Sequence, residues 1–317
     1  MKAKYNIDLS IITPCFDEEE SVNECAAQLR KLMTEQLPYV KYEHIFIDNC
    51  SNDKTVENLR EIASNDSHIK VIVNSRNIGA QRNIYRALHR AVGELIIPML
   101  PADLQDPVEV IPKMYQKIQQ GSLVVFGRRS NRAEGLIMRF LRKLFYRSIR
   151  FLSQKNLPLD TGEFMMVDRR IINSILSNHD ENPYLRGLIA QTTEKTDFVE
   201  YTWVKRKFGK SKASLPVLID TAINALINTS KLPARVSLII GFIVSILSTV
   251  FSAIYFIIVL FSPSNIGTGV PTVAISIFLF SGFQLFFIGL VGEYVLSVHS
   301  QVKKEPLVFD LETINFS

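Results

Sequence analysis

The stretch Leu95-Ile96-Ile97-Pro98-Met99-Leu100-Pro101-Ala102-Asp103-Leu104-Gln105-Asp106-Pro107 decides the reading of the chain. A short apolar run of this kind reads as a buried strand. It stops at two closely spaced carboxylates in a turn. The strand supplies rigidity and the turn supplies exposure, which suits a divalent cation held beside a phosphate. Mg²⁺ in particular is bound by one or two carboxylates plus substrate phosphates. The plain alternative is that Asp103 or Asp106 caps a helix starting near Pro107, because Asp before Pro is a frequent helix start.

Working outward, residues 7–127 alternate strand and helix. Strands are expected at 7–13, 44–48, 69–74, 95–100 and 123–127. Helices are expected at 18–36, 54–64 (capped by Ser51 or Asp53), 79–92 and 107–119. Such alternation predicts an α/β domain with a mostly parallel sheet flanked by helices. Ligands of open sheets of this type sit beyond the carboxyl ends of the strands. Polar residues gather there: Pro14-Cys15-Phe16-Asp17-Glu18-Glu19, Asp48-Asn49-Cys50-Ser51-Asn52-Asp53, Asn77-Ile78-Gly79, and Asp103. Asp48 is placed to accept from a base or ribose. Each carboxylate alone is more often a cap or a solvated group, and it is their joint placement that favours a site. The chain has no Gly-x-Gly-x-x-Gly or Gly-Lys-Ser/Thr loop, which disfavours a dinucleotide fold or a P-loop ATPase.

Hydropathy divides the 317 residues. With 47% hydrophobic and 21% charged residues, nothing suggests disorder. No charge occurs at 236–261 or at 270–291. Both runs exceed the roughly 20 residues that span a bilayer core, so two transmembrane helices are expected within 233–302. Lys231, Arg235, Lys303 and Lys304 flank them, while the loop between is uncharged. The positive-inside rule then puts both termini and everything before Leu232 in the cytoplasm, as a multi-pass protein of the cytoplasmic membrane. The N-terminus shows no secretory signal core. Cys15, Cys25 and Cys50 have no metal-ligand spacing and suit a reducing compartment. The division expected is a domain at 1–232, a two-helix membrane domain at 233–302 and a cytoplasmic tail at 303–317.

Basic residues cluster before the first span. Residues 128–150 carry Arg128, Arg129, Arg132, Arg139, Arg142, Lys143, Arg147 and Arg150 against Glu134 alone. An amphipathic helix near 136–152 reads either as an interfacial helix attracted to anionic membrane lipids or as a solvated basic helix packed on the sheet. A second interfacial helix is expected near 215–232. Between them lies Lys205-Arg206-Lys207-Phe208-Gly209-Lys210-Ser211-Lys212, a cationic loop suited to phosphate, or else a flexible basic surface. Membrane anchorage argues against nucleic acid as a partner.

Taken together these motifs resemble the polyisoprenyl-phosphate glycosyltransferases of glycosyltransferase family 2, over nearly the whole chain. The order Asp-Leu-Gln-Asp-Pro followed by Arg-x-x-Gly-x-Ser-Lys carries most of the likeness. The resemblance implies a GT-A fold followed by amphipathic interfacial helices and two transmembrane helices. It implies a nucleotide pocket lined by Pro14, Phe16, Glu18, Asp48 and Asn77. Asp103 and Gln105 would hold Mg²⁺ or Mn²⁺ against the donor diphosphate. Arg129, Arg132, Arg206, Ser211 and Lys212 would contact the phosphates of donor and acceptor. Asp160 is the candidate to assist or position the acceptor, or else a turn residue. The implied partners are a nucleotide sugar donor, a polyprenyl phosphate acceptor and membrane lipids; a homo-oligomer stays open. Pro101 stands where the family usually has a first acid, Phe16 where Tyr is common, and Ala213 where an aromatic follows the Gly-x-Ser-Lys piece. The alternatives are transfer to another lipid and a non-catalytic scaffold that binds nucleotide sugar. Residues after Asp106 and from Asp160 to Glu163 are expected to decide the donor sugar.

Overall fold

The computed structural model describes residues 6–130, 161–177, 184–204, 269–303 and 308–316, with scattered positions between 239 and 257. Eight strands form one sheet: β1 (Leu9–Cys15), β2 (Tyr42–Asp48), β3 (Ile69–Asn74), β4 (Leu95–Ile97), β5 (Val124–Arg129), β6 (Thr161–Asp168), β7 (Thr196–Tyr201) and β8 (Asp310–Ile314). Their order is β7-β5-β6-β4-β1-β2-β3-β8. The helices are α1 (Val22–Gln36), α2 (Thr55–Asn65), α3 (Ala80–Arg90), α4 (Ile111–Gln119), α5 (Arg169–Leu176), α6 (Leu185–Thr192) and α7 (Val270–Lys303).

The central strands are continuous apolar runs because helices cover both of their faces. Ile11, Phe46, Val71 and Phe164 pack with α1, α2 and α4 on one face. Ile12, Ile45, Phe126 and Met165 pack with α3, α5 and α6 on the other. In α1 the buried positions Val22, Cys25, Ala26, Leu29, Leu32 and Met33 recur at helical spacing, giving one apolar stripe.

The alternation from 7 to 127 yields the expected elements with shifted ends. Helix α1 starts at Val22 rather than 18, because residues 17–21 turn sharply: Asp17 has φ +49° and Ser21 N donates to Glu18 O at 2.9 Å. Strand β4 ends at Ile97, before Pro98, which lacks a ladder donor. A 3-10 turn at Val108–Val110 precedes α4. The sheet is mostly parallel, as expected, with antiparallel pairing at β6 and β8. The β1–β2, β1–β4, β2–β3 and β5–β7 pairs are parallel. β6 is antiparallel to both β4 and β5, and β8 is antiparallel to β3.

Strand β8 lies within the segment expected as a cytoplasmic tail. Residues 310–314 pair with β3 from Val71 to Asn74. Arg60 binds Glu312 at 2.6 Å, and Arg86 and Arg90 both reach Asp310. Asn315 Nδ2 donates to the carbonyls of Ala63 and Ile69, each at 2.8 Å. The pattern of Asp310 to Ile314 alternates half-buried and exposed positions, which suits an edge strand.

Helix α7 is 34 residues long. Phe283, Leu285, Ile288, Val291 and Leu296 are exposed along it. Counted over the described residues, no helix is long and apolar enough to cross a membrane. The interfacial helices expected near 136–152 and 215–232 lie outside the described residues.

Candidate active site

The carboxyl ends of β1 to β5, the start of β6 and the end of β7 meet at one edge of the sheet. The turns after β1 and β2 are tied to each other. Ser51 Oγ accepts from Asp17 N and Thr55 Oγ1 from Glu18 N, each at 2.8 Å. Asp17 and Glu19 accept in return from the backbone of Asn52 and Lys54. The result is a double loop presenting Pro14, Phe16 and Glu18, all half-buried. Asp48 sits beneath it with 0% exposure. Its carboxylate accepts from Ser51 N at 2.9 Å and from Ser51 Oγ. Burial pushes the Asp48 carboxyl up against those hydrogen bonds. These bonds give Asp48 a turn-forming position at the site where the sequence places an acceptor for base or ribose.

An asparagine network joins β2 to the turn after β3. Asn49 Nδ2 donates to Asn77 Oδ1 at 2.8 Å, and Asn49 Oδ1 accepts from Ile78 N at 3.0 Å. Asn74 donates to Asn83, and Asn83 in turn to Ile47 O. Asn77 itself is exposed.

The turn after β4 is shaped by Pro101 and Leu104. Leu104 N donates to Pro101 O at 3.0 Å, and Leu104 takes φ +54°. Asp103 Oδ1 accepts from Gln105 N at 3.1 Å. Asp103 and Gln105 are both half-buried. Of the four described non-glycine residues with positive φ, three (Asp17, Cys50 and Leu104) lie in the loops at this edge. Such conformations are costly for L-residues and cluster where the surroundings over-determine them, often at functional sites.

Asp106 does not cap the helix; no side chain caps the turn at Pro107. Instead Asp106, 2% exposed, receives a fork from Arg129: Nε to Oδ1 at 3.0 Å and Nη2 to Oδ2 at 2.8 Å. Tyr201 Oη also donates to Asp106 Oδ1, and the guanidinium lies 5.4 Å from the Trp203 ring centre. Burial works against the Arg129 charge, but Asp106 and Tyr201 outweigh it and raise its pKa above the ordinary value. The clamp ties the Asp103–Asp106 turn to the ends of β5 and β7. Val204 N donates to Gln105 O at 3.1 Å and adds a fourth tie. Arg129 thus reaches the site, but with its fork on a carboxylate. Tyr201 and Trp203 carried no signal in the sequence. The Asp106–Arg129 pair had one, in an acid closing the motif and an arginine two residues past the end of an apolar strand.

Asp103 and Gln105 form an all-oxygen donor set suited to a hard cation. Among the described residues no group of three His, Cys, Asp or Glu side chains could hold a metal. A cation here fits only if substrate oxygens complete its shell. Arg132, Asp160, Arg206, Ser211 and Lys212 lie outside the described residues.

The site thus combines a mostly parallel sheet with a polar carboxyl edge, an acidic turn after β4 and an arginine clamp. Residues 10–176 match the glycosyl transferase family 2 description. The chain belongs to that family. An uncharacterized glycosyltransferase of Bacillus subtilis (strain 168) is 30% identical over 95% of this chain and 93% of its own length. The prophage-derived bactoprenol glucosyl transferase of Shigella flexneri is 30% identical over 94% of this chain and 96% of its own. Among solved structures, glucosyl-3-phosphoglycerate synthase of Mycobacterium tuberculosis, in complex with Mn²⁺, UDP and glucosyl-3-phosphoglycerate, shares the fold. Its TM-score is 0.50 at 17% identity, with 71% of this chain and 80% of that chain covered.

Proposed function

We propose that the protein transfers a sugar from a nucleotide diphosphate sugar, by default a UDP-sugar, to a polyprenyl phosphate at the cytoplasmic face of the cytoplasmic membrane. The observation that carries this reading is the reach of the likeness. The bactoprenol glucosyl transferase match runs over 94% of the chain, so it takes in the apolar C-terminal third as well as the sheet.

In this reading the donor lies across the carboxyl edge, with its nucleotide against Pro14, Phe16, Glu18 and the Asn49–Asn77 bridge. The diphosphate faces the Asp103–Gln105 turn. Asp103 and Gln105 would hold Mg²⁺ or Mn²⁺, which when bound offsets charge on the leaving diphosphate. The acceptor phosphate oxygen forms a bond to the anomeric carbon from the opposite face as the bond to the diphosphate oxygen breaks, and configuration inverts. A phosphate monoester has a second pKa near 6, so the nucleophile is already largely dianionic and needs little help from a base. Asp160 would position the acceptor. Arg132, Arg206, Ser211 and Lys212 would offset the repulsion between the two phosphates.

Membrane attachment belongs to the same proposal. The charge-free runs 236–261 and 270–291 and the exposed apolar side chains of α7 support two spans. The position of β8 supports an even number. Because β7 and β8 belong to one sheet, the chain between Tyr201 and Phe309 starts and finishes on the same body, and so on the same side of any bilayer it crosses.

The test is a panel of UDP-glucose, UDP-galactose, UDP-N-acetylglucosamine and GDP-mannose with undecaprenyl phosphate and Mg²⁺ or Mn²⁺. A lipid-linked sugar from one donor is expected. Absence of product and of donor hydrolysis with every donor would overturn the proposal.

A further inference from the structure

At the same edge, on the face covered by α3 and α6, one polar pair has acceptor capacity that no described residue uses. Gln81 Nε2 donates to Glu163 Oε1 at 2.7 Å. The other oxygens of the pair, Glu163 Oε2 and Gln81 Oε1, are out of solvent and have no hydrogen-bond partner among the described residues. Buried acceptors are rarely left open in native proteins. Two neighbouring open acceptors match a ligand that brings hydroxyl donors. They do not match a phosphate, which is itself an acceptor and carries the same charge as Glu163.

The location narrows the ligand. Strand β6 runs antiparallel to β4 with Val167 opposite Ile96. Glu163, four residues earlier, therefore stands beside the chain just past Ile97, where the Asp103 turn begins. A Cβ on neighbouring Gly162 would lie 3.1 Å from Arg129 Nη2, which places this end of β6 against the Asp106 clamp. Gln81 lies in the first turn of α3, four residues past Asn77. The pair thus sits between the turn assigned to the diphosphate and the turn assigned to the nucleotide. Arg186 anchors the start of β6 through Thr161 O. Burial pushes the Glu163 carboxyl up, with Gln81 and Arg186 opposing.

We propose that Gln81 and Glu163 form the subsite for hydroxyl groups of the transferred sugar, with Glu163 Oε2 and Gln81 Oε1 as acceptors, and that the pair discriminates between donors by hydroxyl configuration. The proposal rests on the reading of the protein as a nucleotide-sugar transferase. A sugar hydroxyl supplies the donor that each oxygen lacks, and a donor with that hydroxyl absent or inverted leaves the acceptor unpaired.

The test measures dissociation constants of UDP, UDP-glucose, UDP-galactose and UDP-N-acetylglucosamine for the full-length protein with Mg²⁺, alongside Glu163→Gln and Gln81→Leu. The wild type is expected to prefer one of the three sugars. Both substitutions should leave UDP affinity within about twofold and reduce that preference by about tenfold, the scale of a hydrogen bond to a charged group. A preference that survives both substitutions, or no preference in the wild type, would overturn the subsite. Loss of UDP binding in both variants would overturn it too, marking the pair as a strut between α3 and β6. Failure of the wild type to bind UDP would instead remove the nucleotide-sugar reading, and the subsite with it.

Discussion

The two edges of the sheet are built on opposite plans. At the amino edge the polar groups close on one another. Glu43, 1% exposed, accepts from Ser10 Oγ at 2.5 Å and Val92 N at 2.7 Å, and Lys70 Nζ lies 2.7 Å from its other oxygen. Ser10 Oγ also accepts from Gly93 N, and Arg169 Nε donates to Gly93 O, each at 2.8 Å. At the carboxyl edge the loops hold three residues at positive φ, and Glu163 and Gln81 keep acceptors with no partner among the described residues. The difference marks the carboxyl edge as the place to test for function. Ion pairs and hydrogen bonds among neighbours contribute stability at the amino edge, whereas strain and open acceptors persist only where other contacts hold them.

Substitutions at the two edges should therefore separate activity from stability. The largest effect is expected from Asp103→Ala: lipid-linked product should fall by about a thousandfold through loss of metal and charge stabilisation, with the thermal midpoint unchanged. Full activity with metal chelated would break the comparison at its centre. Asp106→Ala joins both properties, because it strands the Arg129 guanidinium in a largely buried place. A loss of about 3 kcal/mol is expected in chemical denaturation, together with reduced turnover. Gly93→Ala should act on stability alone. The added Cβ would lie 2.6 Å from Ser10 N, an overpacking that costs about 2 kcal/mol, while donor affinity in the surviving fold stays unaltered.

A pH dependence is also expected, and at acid pH it matches these effects in size. His44 is 1% exposed, bonded through Nε2 to Thr13 Oγ1 at 2.8 Å, and burial lowers its pKa to about 3 despite the nearby Asp66. Below the ordinary histidine pKa, near 6.5, the unfolded chain takes up a proton that the native state refuses. Stability therefore falls as pH drops from about 6 to about 3, by up to ~1.4 kcal/mol per pH unit from this group. His44→Gln should remove that part of the slope in denaturation curves measured across the window. The smallest effect is expected from Glu312→Ala. Its partner Arg60 is 51% exposed, so the loss should stay under about 1 kcal/mol. A larger loss would mean that β8 depends on this ion pair more than on its ladder with β3.

The order of β1 to β5 and the place of the site were legible because hydrophobic runs and polar strand ends are local signals. The acid turn at Asp103 lay in the sequence for the same reason. Its partners did not. Asp106 reads equally well as a cap until Arg129 and Tyr201, 23 and 95 residues away, are brought to it. Glu163 was expected to bear on donor choice only as part of a segment. Its pairing with Gln81, 82 residues earlier, comes from the antiparallel run of β6 beside β4.

By itself the sequence determined the α/β class, the glycosyltransferase resemblance and the polar edge proposed for the chemistry, since periodicity and short motifs depend on neighbours along the chain. Only the tertiary structure decided that the sheet is mixed, that residues 310–314 close it as β8, that Asp48 is buried beneath its loop and that Asp106 clamps Arg129. Each of these depends on residues distant in sequence meeting in space, where burial and pairing, rather than residue type, fix what a side chain does.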